Sequence, residues 1–275
     1  MMYACIDIPI PHHTGECNIT PLSDLHLDSL ACDHKALNRL IAERAALPNS
    51  HFISMGDLVC AILPTDKRYR HGVQRLPDVG DVIQAEVNEQ FRRFKDLSWL
   101  GFLSGNHEST VAIKHYQHPT KMLAQKFTDA GLKGAYLGYS AYLVLRLTQV
   151  VAGNRKLTRG TVRFLLHHGA WCGAGDAGFL GAMRWAAGYD NWDVLLYGHN
   201  HQTAVRQQDI VHYSERGVPR TRTRYICACG TFMNNTAPQE TTWLEQKGHA
   251  PVRIGAPLIT IAASATGPRV SVQLS

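Results

Sequence analysis

A layered α/β fold with two sheets is predicted for this chain, on three observations. Apolar, strand-like runs alternate with segments of helical spacing through the first part of the chain. The last part reads as strands with no helix between them, which argues against a uniformly doubly wound sheet. Five of the strand-like runs stop abruptly at a polar cluster, as strands do where they end at one edge of an α/β sheet.

The elements follow in order. "NITPLSDLH" is a short strand running into a loop. Residues 33–47 place Leu37, Leu40, Ile41 and Ala45 on one helical face. "HFISMGD" is a strand ending in Gly-Asp. Residues 61–80 are polar and basic and read as a loop insertion. Residues 80–97 return to helical spacing through Val82, Ile83, Val87, Phe91 and Phe94. "WLGFLSGNHE" is again a strand ending in polar residues, and residues 119–130 are a helix with proline in its first turn. "SAYLVLRLTQV" and "TVRFLLHHG" are strands, "AGFLGAMRWAAG" is a short helix, and "DVLLYGHNH" is a strand. "RYICACGTFM", "APLITIAAS" and "RVSVQLS" complete the chain as strands.

The 275 residues suit a single domain, 1–275, that buries a large core. Hydrophobic content of 45% and charged content of 18% are those of an ordinary globular protein. No stretch approaches the roughly 20 apolar residues of a membrane span, and the N-terminus lacks the pattern of a secretory signal. Seven widely separated cysteines make a disulfide framework unexpected and fit a reducing cytoplasm. Cys227 and Cys229 read as two same-face residues of a strand rather than as a zinc site. The net charge of +6 is compatible with a phosphate-bearing substrate.

The five clusters contain Asp24 and His26; Gly56 and Asp57; Gly105, Asn106, His107 and Glu108; His167, His168 and Gly169; and Gly198, His199, Asn200 and His201. Singly, each is a common loop or cap feature. Together, and in this order after apolar runs, they form a set of Asp, His and Asn ligands for divalent metals. Asp-x-His and His-x-His on an extended backbone would each present two side chains to one side. Two ions roughly 3.5–4 Å apart can clamp the attacking and leaving oxygens of a phosphoryl displacement and lower the pKa of bound water.

The series "SDLHLD", "MGDLVC", "SGNHES", "LLHHGA" and "YGHNH" resembles the signature of the calcineurin-like metallophosphoesterases. The resemblance spans residues 19–202 and implies a four-layer α-β-β-α sandwich of two mixed sheets with two divalent ions. Manganese is the first expectation, with iron, zinc, magnesium or nickel as alternatives. It implies that Asp24, His26, Asp57 and His201 surround one ion. Asp57 bridges to a second, held also by Asn106, His199 and one of His167 and His168. Adjacent side chains of an extended segment point opposite ways, so one of that pair ligates; His167 is the first choice. His107 is implied as the non-ligand histidine beside the substrate phosphate, where it stabilises charge or protonates the leaving oxygen. Glu108 either orients it or stands in solvent. Asp57 and His107 are thus the implied catalytic pair, with a bridging hydroxide attacking phosphorus in line.

The family often reads Gly-Asp-x-x-[Asp/Asn/Glu], whereas this chain has Cys60 at the last position. Altered support of the ligands is therefore expected, without loss of activity. Substrate choice falls to insertions. Arg68 and Arg70, in the basic stretch after Asp57, are expected to contact substrate beside Asn106 and His107. Arg220, Arg222 and Arg224 form a stripe on one strand face that either tracks a polyanion or protects a solvated edge. The reading is a phosphodiesterase, with nucleic acid or nucleotides among its substrates, no membrane association and no obligate protein partner. A phosphomonoesterase or protein-phosphatase-like enzyme, or a non-catalytic metal-binding scaffold, is the alternative.

Overall fold

The computed structural model describes residues 1–10, 15–61, 79–151, 155–171, 176–213, 216–234, 250–265 and 267–274. Its strands are β1 (Met2–Pro9), β2 (Glu16–Leu22), β3 (Ser50–Ser54), β4 (Trp99–Phe102), β5 (Ala135–Tyr136), β6 (Ser140–Val151), β7 (Arg155–His167), β8 (Val194–Tyr197), β9 (Thr203–Tyr213), β10 (Pro219–Cys229), β11 (Leu258–Ala262) and β12 (Arg269–Gln273). Its helices are α1 (His34–Ala45), α2 (Val79–Phe94), α3 (Asn106–His115), α4 (Pro119–Asp129) and α5 (Asp176–Ala186).

Two mixed six-stranded sheets result, with orders β1-β6-β7-β8-β10-β9 and β12-β11-β2-β3-β4-β5. Alternation of side chains along the strands decides what each face covers. Leu143, Leu145 and Leu147 of β6 meet Cys17 and Ile19 of β2 and Ile259 and Ile261 of β11 between the sheets. The other face of the second sheet, with Leu22, Phe52, Trp99 and Phe102, packs on α1, α2 and α4 through Leu37, Val87, Phe94 and Phe127. The other face of the first sheet, with Leu165, Leu195 and Ile226, is covered by Ala182 and Ala186 of α5. The order of layers is therefore helix, sheet, sheet, helix. Burying each such large apolar side chain contributes about 1.5–3 kcal/mol before entropy is counted.

Local signals explain the helix starts. The Asp33 side chain accepts from the Ala36 amide at 2.9 Å and caps α1. Pro119 occupies the first turn of α4. Four elements escape the sequence reading, one of them the two-residue strand β5. β1 is an edge strand with only one fully buried residue, Ile8. β9 is the opposite edge of the same sheet. α3 buries only Glu108 and Val111 among its ten residues, too little for a helical stripe. Ala45, read as part of the buried face of α1, is exposed, because the helix ends there.

Cys227 and Cys229 are buried together between the sheets, where burial raises both thiols, as the same-face strand reading requires. Two of the three stripe arginines find protein partners, whereas Arg220 is exposed. Arg222 pairs with Asp193, and Arg224 donates to the Trp192 carbonyl at 3.0 Å with its guanidinium over the Trp192 ring. Register also places the stripe at the opposite end of β10 from Cys229, the residue that pairs with Thr203 just after the last polar cluster. No described helix is long and apolar enough to cross a membrane. The expected insertion at 61–80, with Arg68 and Arg70, lies almost wholly outside the described residues.

Candidate metal centre

Parallel pairing lines up the C-terminal ends of β2, β3 and β4 in one sheet, and of β7 and β8 in the other. The loops leaving these ends continue to bond one another. Asp24 N donates to Gly56 O at 3.0 Å, His26 N to Asp57 O at 3.1 Å, and Gly198 N to His168 O at 2.8 Å. The backbone there is not extended. Asp24, His26, Asp57, His199 and His201 all have positive φ, between 46° and 70°. Asp and His tolerate this left-handed region better than most residues, and its concentration at a cluster of polar groups is the pattern of a strained site. The two-residue spacing of Asp24 and His26, and of His199 and His201, therefore works through left-handed turns and not through strand alternation.

Glycines make the close approach possible. A Cβ on Gly105 would lie 2.0 Å from Asp57 Oδ1, and one on Gly198 would lie 2.1 Å from Ser23 Oγ. The Gly-Asn and Gly-His pairs thus have a steric reason.

Three overlapping groups have ligand atoms within 4.8 Å of one another: Asp24, His26 and His201; His26, Asp57 and His107; and Asp57, His168 and His199. His26 and Asp57 are each shared by two groups. Asp24, Asp57 and His168 are essentially inaccessible, whereas Asn106, His107 and His199 are half-buried and form the open side. Asp24 Oδ2 accepts from the His199 amide at 2.9 Å, and Asp57 Oδ1 from the His107 amide at 2.9 Å. Asn200 turns to its own loop, accepting from the Gln202 amide.

The histidine pair after β7 divides as adjacent residues must. His168 faces the cluster. Its Nδ1 lies 2.7 Å from Met55 O, and its Nε2 lies 3.2 Å from Asp57 Oδ2 and 3.0 Å from Asn106 Oδ1. His167, the first choice from sequence, instead packs against Trp171, Trp185 and Tyr139 on the other face of the sheet, and its Nδ1 accepts from the Gly169 amide. Burial depresses His167 to about 4. The two histidines are adjacent and of the same type, so strand parity relative to the site had to come from the fold.

Electrostatics suit cation binding. Burial opposes the charges of Asp24 and Asp57, yet neighbouring histidines hold both carboxyls below their ordinary value, Asp57 well below. Burial, with His107 beside it, pushes His26 down to about 3, so its ring is neutral. Ionised carboxylate and neutral imidazole are the states that bind metal. Two atoms test the fit. His26 Nε2 is buried with no hydrogen-bond partner. His168 must place its Nδ1 proton on the Met55 carbonyl, which only accepts. Its Nε2 then faces two oxygens, and only a second proton or a cation makes that arrangement favourable. Burial opposes that proton, but the Asp57 charge outweighs burial and lifts His168 to about 10. The donor set therefore fits divalent ions at this place.

Two supporting carboxylates went unassigned or undecided from sequence. Glu108 is buried and accepts from the amides of Gly105 (2.8 Å), Asp57 (3.1 Å), Leu58 (2.7 Å) and Val59 (3.4 Å), clamping one ligand loop to another. Asp28 accepts from the amides of Cys60 and Ala61. Cys60 Sγ lies 3.3 Å from His26 Nδ1, so the cysteine contacts the ring of a candidate ligand.

Three solved chains resemble this one at low identity. A Vps29 double mutant from Entamoeba histolytica is 12% identical, over 94% of this chain and 99% of its own, with a TM-score of 0.34. Vps29 from Chaetomium thermophilum is 14% identical, over 94% and 97%, with a TM-score of 0.34. The nuclease MPE from Pseudomonas putida is 15% identical, over 93% and 87%, with a TM-score of 0.35. No protein-family model and no curated protein matches the chain.

Proposed function

We propose that this protein is a metal-dependent phosphoesterase with a two-ion centre, acting on phosphodiesters that include nucleic acid or nucleotides. One observation carries the reading: two groups of ligand atoms, Asp24–His26–His201 and Asp57–His168–His199, stand side by side with Asp57 between them. Asp24, His26 and His201 would hold one ion, and His168, His199 and Asn106 the other, with Asp57 shared. Bound divalent ions supply Lewis acidity to a phosphoryl group and acidify water.

The chain's own residues do the rest. Asp57 keeps its charge under burial because His168 and His107 face it. His107 donates its Nδ1–H to the Cys60 carbonyl, which directs its Nε2 toward the ligand cluster, 4.0 Å from Asp57 Oδ2. From that place it can hold or deliver a proton at the leaving oxygen. The half-exposed Asn106 amide stands beside it for a phosphoryl oxygen. The surplus of basic residues favours polyanionic substrates.

The test is hydrolysis of bis(p-nitrophenyl) phosphate and p-nitrophenyl phosphate with manganese and with chelator, in wild type and His107→Ala. Chelator-sensitive diesterase activity that falls by ~10²-fold or more in the variant is the expected result. Preference for the monoester would make the protein a phosphatase. Bound metal with no turnover of either ester would sink the enzymatic reading in favour of a scaffold.

A further inference from the structure

We infer that Asp28 is a positioning residue for His107, acting through the peptide group between Cys60 and Ala61. The inference rests on the phosphoesterase reading for its kinetic arm and on geometry alone for its spectroscopic arm. Backbone pairing sets it up: His26 N donates to Asp57 O and Leu27 N to Leu58 O, at 3.1 and 2.9 Å. This pairing carries Asp28 to a place opposite residues 60 and 61. There Asp28 Oδ1 accepts from the Cys60 amide, and Oδ2 accepts from the Ala61 amide at 3.0 Å.

The Ala61 N–H and the Cys60 C=O are the two ends of one peptide group. Its carbonyl end accepts from His107 Nδ1. The chain of contacts is carboxylate, peptide N–H, peptide C=O, imidazole Nδ1–H. A peptide group polarised by a carboxylate at its N–H end is a stronger acceptor at its oxygen, because hydrogen bonds in series reinforce one another. Asp28 thereby holds the Cys60 carbonyl in place as the acceptor of the His107 Nδ1–H, which keeps that tautomer and aims the ring. The Cys60 Sγ turns toward His26 Nδ1, so it is the backbone at this position that meets His107. Ala61 has a φ of +46°, a costly conformation for alanine, and the Asp28 carboxylate holds the peptide in it.

Two measurements test this. The first is kinetic, on methyl aryl phosphodiesters whose leaving groups span a range of pKa, with manganese-loaded enzyme. Asp28→Asn removes the charge and one of two acceptors. Its loss should grow with leaving-group pKa, from about 2-fold for p-nitrophenolate to ~10²-fold for phenolate, as expected where proton delivery is impaired. Cys60→Ala keeps the backbone carbonyl and should retain the wild-type slope. An equal loss across the series, or the same steepening in Cys60→Ala, would overturn the inference.

The second is the ¹⁵N spectrum of the His107 ring in zinc-loaded protein. Wild type should show the Nδ1–H tautomer, and Asp28→Asn, by releasing the peptide between Cys60 and Ala61 so that its carbonyl leaves Nδ1, should move it toward Nε2–H. A wild-type Nε2–H tautomer, or an unchanged ring in the variant, would overturn the inference. Should Asp28→Asn fail to fold, the wild-type tautomer and the slope in Asp28→Glu, which retains the charge, decide the matter in the same way. Failure of wild type to cleave any ester would count against the phosphoesterase reading, and the ring spectra would then decide the role of Asp28 alone.

Discussion

At the scale of single residues, the site is built from side chains that have more partners than their sequence neighbours suggest. Glu108 shows this best. It sits in a Gly-Asn-His-Glu run where a glutamate could equally stand in water, yet it accepts four backbone N–H groups from two loops. Burial and the Asp57 charge raise it to about 7, while its Gly105 bond pulls the other way. Glu108→Gln turns an amide N–H₂ toward backbone donors and leaves at least one of them unsatisfied. The expected cost is about 1–3 kcal/mol, read from the midpoint of urea unfolding at unchanged slope, together with weaker metal binding. An unchanged midpoint would show that the clamp does not hold the loops. The signal for Glu108 was present, since an acid three residues after Gly105 is a helix N-terminal pattern. What it clamps was not legible, because Asp57 and Leu58 lie about fifty residues earlier in the chain.

At the scale of elements, strand ends carry the chemistry and strand middles carry the stability. β2, β3 and β4 run parallel and stop together, so Asp24, Asp57 and Asn106 arrive at one edge without any of them needing a long loop. The strand starts carry different residues. His51 of β3 has Nδ1 2.8 Å from Ser98 Oγ and Nε2 3.0 Å from Asn49 Oδ1. Partial burial, with Lys133 adding, lowers it from 6.5 to about 4. The folded protein therefore takes up this proton later than the unfolded chain as pH falls. The contribution to stability is fully present above about 6.5 and is lost as pH falls toward 4. Wild type should lose more of its denaturation midpoint than His51→Gln between those limits, and parallel pH curves for the two proteins would contradict the assignment. Elements with strong periodicity, such as α2 and β6, were legible from residue order. β1, β9 and α3 were not, because edge strands and a helix that buries only one apolar residue expose most of their side chains.

At the scale of the whole molecule, two carboxylates and several imidazoles are gathered at an edge shared by both sheets, far from where the chain first presents them. Asp24 and the His199 amide are 175 residues apart in sequence and 2.9 Å apart in space. A divalent ion that binds the folded cluster and not the unfolded chain should stabilise the folded state through mass action. Thermal midpoints are expected to rise with added manganese in wild type, by the equivalent of about 2.7 kcal/mol at 100 times the dissociation constant. They should rise less in His199→Ala and in His201→Ala, each of which should also lose about one bound ion by elemental analysis. Full metal content and an unaltered manganese response in both variants would remove these histidines from the centre.

Residue order by itself determined the alternation of strands and helices, the five polar clusters and the glycines beside them. These depend on local period and on residue type, both of which are written in the chain. Tertiary structure decided which of His167 and His168 faces the cluster, that Asp28 and Glu108 clamp ligand loops, and that Arg222 and Arg224 are held by the turn at 191–193. Each of those outcomes depends on side-chain direction against a partner 29 to 113 residues away. Direction at a strand end follows from packing on both sheet faces, which no single segment contains.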